Sequence, residues 1–270
     1  MQLASEFPRL EDGIDKHSST HLFTENDCQL LLLPGRGQKL LATPACFGYG
    51  SKSLDSLFMY AVSHALALQG GLALHGGSFQ HEGFSPLILG DSRSGKSTLT
   101  ALALRMGAKV VSDDHLLLSK RDSTGEPTFE LESMRADLHL RAPTHDLLPA
   151  PLAAQLKPAH FQGEQRWIMP HRLNPQFQRT TNPNVILCSQ VDRDIKETET
   201  QPMTPPDALA ELMRCSSPLF MTPKFPQERD TLMKLMLPMI TSLPAFRIRL
   251  GRDLFDRPEQ TFQRLADTLS

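Results

Sequence analysis

The spacing of apolar and polar positions changes several times along the chain, and each change marks an element. His21-Leu22-Phe23 and Cys28-Gln29-Leu30-Leu31-Leu32-Leu33 predict strands, broken at Pro34-Gly35 and Gly37, with residues 39–42 as a further short strand. Residues 1–20 are polar and charged and predict a loose leader or a short edge element. From Ser53 the period lengthens to that of a helix ending near residue 69. Leu54, Leu57, Phe58, Ala61, Val62 and Ala65 form its stripe, Ser53 caps it, Asp55 lies in its first turn, and Gly70-Gly71 stop it. Met59 and His64 on this helix read as filling. Residues 72–79 and 86–89 are strands joined by a turn at His81-Glu82-Gly83, short enough to make them antiparallel. A helix ending at Gly107, a strand over 109–112, and a hairpin through Leu116-Leu117-Leu118, Asp122-Ser123-Thr124-Gly125 and residues 128–131 follow.

The second half is less regular. Pro143, Pro149, Pro151 and Pro158 predict loops and a short helix over residues 142–165, with strands at 166–169 and 184–190. The charged run 192–200 reads as a solvated loop. Thr204-Pro205-Pro206-Asp207 places a cap, prolines and an acid where a helix begins, opening 208–214. Residues 226–241 are a helix burying Leu232, Leu235, Met236 and Met239, with Pro238 disturbing its last turn. Phe246-Arg247-Ile248-Arg249-Leu250 alternates as a strand with one wet face, and residues 258–269 close the chain as an amphipathic helix with Phe262, Leu265 and Leu269 inward. No internal repeat is evident.

The most informative stretch is the apolar run Leu87-Ile88-Leu89 followed by Gly90-Asp91-Ser92-Arg93-Ser94-Gly95-Lys96-Ser97, with Thr98 opening the next helix. This is a complete G-x-x-x-x-G-K-[ST] loop in the required strand–helix context. Its glycines let backbone N–H groups curl around a phosphate, its lysine reaches the β/γ oxygens, and its serine offers a hydroxyl to Mg²⁺. The helix that follows adds the positive end of its dipole. Asp113-Asp114 fall at the carboxyl end of the next strand, where open α/β sheets bind ligands. Phosphoryl transfer asks for positioning, charge neutralisation and a proton acceptor, and alternating acids can divide that work. Capping of the next turn is the plain alternative for the pair. Asp113 as base, Asp114 near Mg²⁺ and His75 beside them complete the candidate centre. His81 and His115 read as ordinary filling. Glu130 and Glu132 are surface candidates that could add a carboxylate to the metal shell. Among Arg135, Arg141, Arg166, Arg172 and Arg179, planar donors suited to phosphates and acidic peptides, Arg141 and Arg166 rank first as substrate contacts.

Composition narrows the classes. At 270 residues, 40% hydrophobic and 21% charged, the chain can bury a sizeable core. A net charge of −2 and no basic stripe with interleaved aromatics argue against nucleic acid and against an anionic membrane. Cys28, Cys46, Cys188 and Cys215 have no C-x-x-C spacing, so reduced thiols are expected rather than zinc or a disulfide framework. Residues 1–20 lack the apolar core of a secretory signal, and no window spans a bilayer, which together predict a cytoplasmic protein.

Leu74-His75-Gly76, the hairpin, the phosphate loop and Val111-Ser112-Asp113-Asp114 resemble, in order and spacing over about residues 70–118, the catalytic domain of HPr kinase/phosphorylase and its relatives. The fold of that family is itself similar to phosphoenolpyruvate carboxykinase. The resemblance implies an α/β fold with a mixed sheet, flanking helices and, here, extra N-terminal strands. It implies a single P-loop kinase domain over 1–270, divided into a strand-rich segment 1–52, a nucleotide-binding core 53–135 and a supporting part 136–270. It implies an ATP- and Mg²⁺-dependent kinase acting on a serine of a protein or peptide. Asp113 would be the base, assisted by His75, with Lys96 and Ser97 on phosphate and metal and Asp114 next to them. Arg93 stands where the family loop usually has glycine. Leu131-Glu132-Ser133-Met134-Arg135 is a poor version of the glycine-containing signature after the acids, and residues 1–50 hold no counterpart of the separate amino-terminal domain. The compact form is more similar to the HPr-kinase-like enzymes that tailor ribosomal peptides, including kinases of lasso-peptide precursors. A small-molecule kinase and a non-catalytic nucleotide-dependent regulator are the competing readings. The oligomeric state, homo-oligomer included, stays open.

Overall fold

A computed structural model describes residues 2–3, 21–25, 28–33, 37–42, 52–123, 126–135, 137–161, 164–171, 174–216 and 226–270. It divides into two compact units, Met1–Leu68 and Gln69–Ser270. In the first, β1 (Gln2–Leu3), β2 (His21–Glu25), β3 (Cys28–Leu33) and β4 (Gly37–Ala42) form a sheet ordered β1-β4-β3-β2, parallel only between β1 and β4. Helix α1 (Lys52–Ala67) packs on β3 and β4. The sequence reading groups this helix with the nucleotide-binding core; in the structure it falls in the first unit. Ala61 and Ala67 are buried together with Ser63 and His64, whereas Val62 and Ala65 are half-buried. The side chains of Leu54, Leu57 and Phe58 lie outside the described residues, as do most of residues 1–20 and the break at Pro34-Gly35.

The second unit carries the α/β fold expected from sequence. Its strands are β5 (Leu72–Gln80), β6 (Pro86–Leu89), β7 (Lys109–Ser112), β8 (His115–Ser123), β9 (Glu126–Ser133), β10 (Asp137–Leu140), β11 (Lys157–Phe161), β12 (Glu164–Pro170), β13 (Thr180–Thr181), β14 (Val185–Val191), β15 (Glu199–Pro202) and β16 (Ala245–Leu250). Its helices are α2 (Lys96–Arg105), α3 (Ala142–His145), α4 (Ala150–Ala153), α5 (Pro205–Cys215), α6 (Pro226–Ser242), α7 (Asp253–Asp256) and α8 (Pro258–Leu269). A nine-stranded mixed sheet runs β13-β9-β8-β5-β6-β14-β16-β15, with β7 also on β5. As expected, β5 and β6 are antiparallel; on its other edge β6 pairs in parallel with β14, and β14 with β16. A separate antiparallel sheet is ordered β10-β12-β11.

β11 and the start of β12 replace part of the loop predicted from proline density. Pro158 lies on β11, an edge strand, where a missing N–H costs no ladder bond. The charged run likewise ends in β15, also at a sheet edge, where charge discourages further pairing. Thr204 caps α5 by accepting from the Asp207 N–H, as its sequence predicts. Leu232, Leu235, Met236 and Met239 are all buried. Among the described residues no helix is long and apolar enough to cross a membrane.

The core around α2 joins Phe79, Ile88, Leu102, Leu104, Leu187 and Phe262. The Phe79 ring lies 5.6 Å from that of Phe84 and 5.8 Å from that of Phe262. Phe262→Ala is expected to cost about 3–5 kcal/mol of stability, read as a lower denaturant midpoint at constant m-value.

β5 changes partners along its length. Its first half, Leu72 to His75, pairs with β8; Ser78 to Gln80 pair with β7, with a register shift between Ser78 and Phe79. The chain leaving β7 thus crosses Asp113-Asp114 and re-enters the same edge as β8. Gly76 faces that crossing and donates its N–H to the Asp114 carbonyl at 2.8 Å. A Cβ at Gly76 would stand 3.0 Å from the Ile88 carbonyl oxygen, so a side chain there would press on the neighbouring strand's backbone.

Candidate functional site

The fully buried strand β6 delivers the phosphate loop at the sheet's carboxyl edge. Gly95, at φ 99°, caps α2 in the left-handed region, and a Cβ there would sit 2.3 Å from Leu250 Cδ1. Lys96 is 5% exposed, and its Nζ donates to the Gly90 and Asp91 carbonyls at 2.8 Å each. The loop is therefore closed around its own ammonium. Burial lowers the Lys96 pKa, with Arg141 acting the same way and the charges of Asp114, Cys215 and Asp113 opposing it. Arg93 adopts φ 69°, the left-handed conformation that glycine takes freely, at a cost of about 1 kcal/mol.

Neighbouring elements brace the loop. The Ser94 and Ser189 hydroxyls are 3.1 Å apart, and Ser189 donates to the Leu89 carbonyl at 3.1 Å. The Gly90 N–H donates to Cys215 Sγ at 3.3 Å, and burial pushes that thiol's pKa up. Asp91 pairs with Arg214, which also donates from Nε to Glu211 at 2.9 Å. Thr98 and Thr144 hydroxyls, 3.2 Å apart, tie α2 to α3, which begins just after Arg141.

Ser112 shapes the acidic turn. Its hydroxyl accepts from the N–H groups of Asp114 and His115 at 3.3 Å each and donates to the His115 carbonyl at 3.0 Å. The two carboxyls leave this turn into opposite electrostatic settings. Asp113 is 2% exposed and its Oδ1 has no hydrogen-bond partner. Burial and the charge of Asp114 raise its pKa to about 6, against a hydrogen bond from Ser97 and the charges of His139 and Arg135. Burial would raise Asp114 as well, but it accepts from His75 Nε2 at 2.9 Å, pairs with Arg135 at 2.9 Å and has His115 Nε2 at 3.6 Å. These partners hold it well below the usual carboxylate range. Burial, Arg135, His75 and Lys96 in turn push His115 down to about 4, with Asp114 opposing them.

Lys96, Ser97, Asp113 and Asp114 come together as the sequence predicts, with Arg141 close enough to act on Lys96. His75 belongs to the cluster, with its ring bonded to Asp114. His115, read as filling, instead faces Asp114, whereas His81 does pack, edge-on to Phe262. Glu130 is engaged by Arg121 and Glu132 by Arg179. Arg166 lies on β12 opposite Ala159, in the smaller sheet. Arg172 lies outside the described residues. Arg135, Arg214 and Cys215 carry more of the site than the sequence assigns them; only Arg135 was marked there as a cation of interest.

Mg²⁺ usually takes one or two carboxylates, substrate phosphates and water rather than an all-protein cage. Among the described residues no group of at least three His, Cys, Asp or Glu side chains is gathered for an ion. The Ser97 hydroxyl, beside Asp113 and with the ionised Asp114 next to it in the chain, fits the sparser Mg²⁺ requirement.

No protein-family model and no curated protein matches the sequence. Solved structures do match. One is the Hpr(Ser) kinase/phosphatase from Coxiella burnetii, with 10% sequence identity over 71% of this chain and 88% of that chain and a TM-score of 0.33. In all, 48 chains of solved structures match.

Proposed function

We propose that the protein is a phosphotransferase that moves the γ-phosphoryl group of ATP, with Mg²⁺, to a serine hydroxyl of a protein or peptide. The observation that carries this reading is the meeting of Lys96 and Ser97 with two carboxyls of opposed acidity, Asp113 and Asp114. Nucleotide binding alone does not require such a pair.

In this reading the loop N–H groups and Lys96 hold the polyphosphate, with Lys96 exchanging its own loop carbonyls for phosphate oxygens. Ser97 would hold the Mg²⁺ ion with those oxygens, beside Asp113; the ion neutralises phosphate charge when bound. Asp113 accepts the proton of the attacking hydroxyl on Oδ1. A pKa near 6 lets it be ionised at neutral pH yet still basic enough to take a proton. Asp114 stays ionised and orients His75 and Arg135 around the acceptor's approach. Arg141 adds positive charge on the Lys96 side.

Incubation of the purified chain with γ-labelled ATP, Mg²⁺ and serine-bearing peptides is expected to give labelled phosphoserine, and none when Asp113 is replaced by Asn. Label on small metabolites but on no peptide would favour the small-molecule kinase; nucleotide binding without turnover would leave a regulator.

A further inference from the structure

The phosphate loop has a second side. Away from the acids, a cleft of about 390 Å³ opens between the loop, the end of β14 and α5. β6, β14 and β16 are mutually parallel, so this cleft lies beyond their carboxyl ends, where open α/β sheets take ligands. The acids flank the loop from the β5 edge instead.

The lining is chemically mixed. Val191 is a large apolar side chain left 41% exposed there, next to the amide of Gln190. Arg247 reaches the cleft from β16, and among the described residues no ion pair engages it. Its strand neighbour Arg249, two residues on, is held by Asp192 and Glu199. Arg214, also in the lining, is already matched by Asp91 and Glu211. An exposed valine, an amide and a planar cation with no ion pair among the described residues suit a flat, polar ring that can pack and hydrogen-bond. A second cluster of phosphates would meet the carboxylates of Asp91 and Glu211.

We infer that this cleft holds the nucleoside part of the phosphate donor, its polyphosphate running over the loop toward Lys96 and Ser97. The inference rests on the nucleotide-dependent reading above. It puts donor base and acceptor on opposite sides of the loop: the base against Val191 and Arg247, the acceptor at Asp113.

Titration calorimetry on the full chain tests this with MgATP and with magnesium tripolyphosphate, which lacks the nucleoside. The wild-type chain is expected to bind MgATP at least tenfold more tightly than tripolyphosphate. Gln190→Trp, which fills the cleft from an exposed position, and Arg247→Ala should each weaken MgATP at least fivefold while leaving tripolyphosphate unchanged. Retained tripolyphosphate binding also shows that the variants fold. Equal affinity of the wild-type chain for both ligands, unchanged MgATP binding in both variants, or loss of tripolyphosphate in both, overturns the inference while the loop reading stands. Failure of the wild-type chain to bind either ligand overturns the loop reading and this inference with it.

Discussion

Lys96→Ala is expected to abolish measurable nucleotide binding and to reduce phosphoryl transfer by at least 10²–10³-fold, the scale set by removing one preorganised donor from a developing charge. The lysine is nearly inaccessible, its ammonium is held by the Gly90 and Asp91 carbonyls, and both acids act on it electrostatically. Its removal therefore strips the loop of its central cation and takes the ammonium donor from both carbonyls, leaving Asp91 only the Ser94 N–H. That second effect is expected to cost about 1–3 kcal/mol of stability in the nucleotide-free chain. Lys96→Arg separates charge from shape: a planar guanidinium keeps the positive charge but cannot repeat a point contact at two carbonyls inside so tight a loop. Calorimetry with MgATP and a thermal melt on each variant read the effects independently. If Lys96→Ala binds MgATP like the wild-type chain, the loop does not hold phosphate.

Short-range patterns carried most of the fold. The strand before the loop ends where its apolar run meets Gly90, the strand before the acids ends at Ser112, and the last helix buries Phe262, Leu265 and Leu269 as its 3.6-residue period requires. Local patterns do not record which surface an element packs on. An apolar stripe on a helix fits any sheet, and the chain placed α1 against β3 and β4. Proline density is equally ambiguous, since it marks both loops and the edge strands on which Pro158 and Pro202 lie.

The candidate site divides along the same line. Lys96, Ser97, Asp113 and Asp114 were legible because loop and acids each sit at the end of a strand with the right neighbours. Arg135 reaches Asp114 only because the β8–β9 hairpin folds back, with the Met134 N–H donating to the His115 carbonyl at 3.1 Å. Arg214 reaches Asp91 from α5, 123 residues along the chain. No spacing rule anticipates either partner. The opposed settings of the two acids were likewise invisible, because adjacent residues of one type differ only in what the fold turns toward them.

Asp113→Asn should lower phosphoryl transfer by about 10²–10⁴-fold, the usual contribution of a positioned proton acceptor, while raising the stability of the nucleotide-free chain. The opposite signs follow from one fact. Burial and the charge of Asp114 raise the Asp113 pKa to about 6, from an ordinary value of 3.8. The folded chain therefore holds this proton more tightly than the unfolded chain does, and stability falls as pH rises from about 4 to about 6, then stays lower. Each pKa unit corresponds to about 1.4 kcal/mol, so the ionised carboxylate weakens the fold by roughly 2–3 kcal/mol at neutral pH. Asparagine removes that charge but brings an amide with its own bonding needs, leaving an expected gain of about 1–2 kcal/mol at pH 7.5 and none near pH 4. Asp114→Asn should act in the reverse sense, because its folded-state pKa is depressed and its pairs with His75 and Arg135 stabilise the fold above the ordinary carboxylate range. Denaturant melts of both variants across this pH range test the two signs together. The Mg²⁺ dependence of residual transfer then separates the roles open to Asp113. A proton acceptor leaves the half-saturating Mg²⁺ concentration unchanged in Asp113→Asn, whereas a metal ligand shifts it upward and returns activity as Mg²⁺ is raised. A stabilised variant with full transfer activity would place the chemistry on another residue.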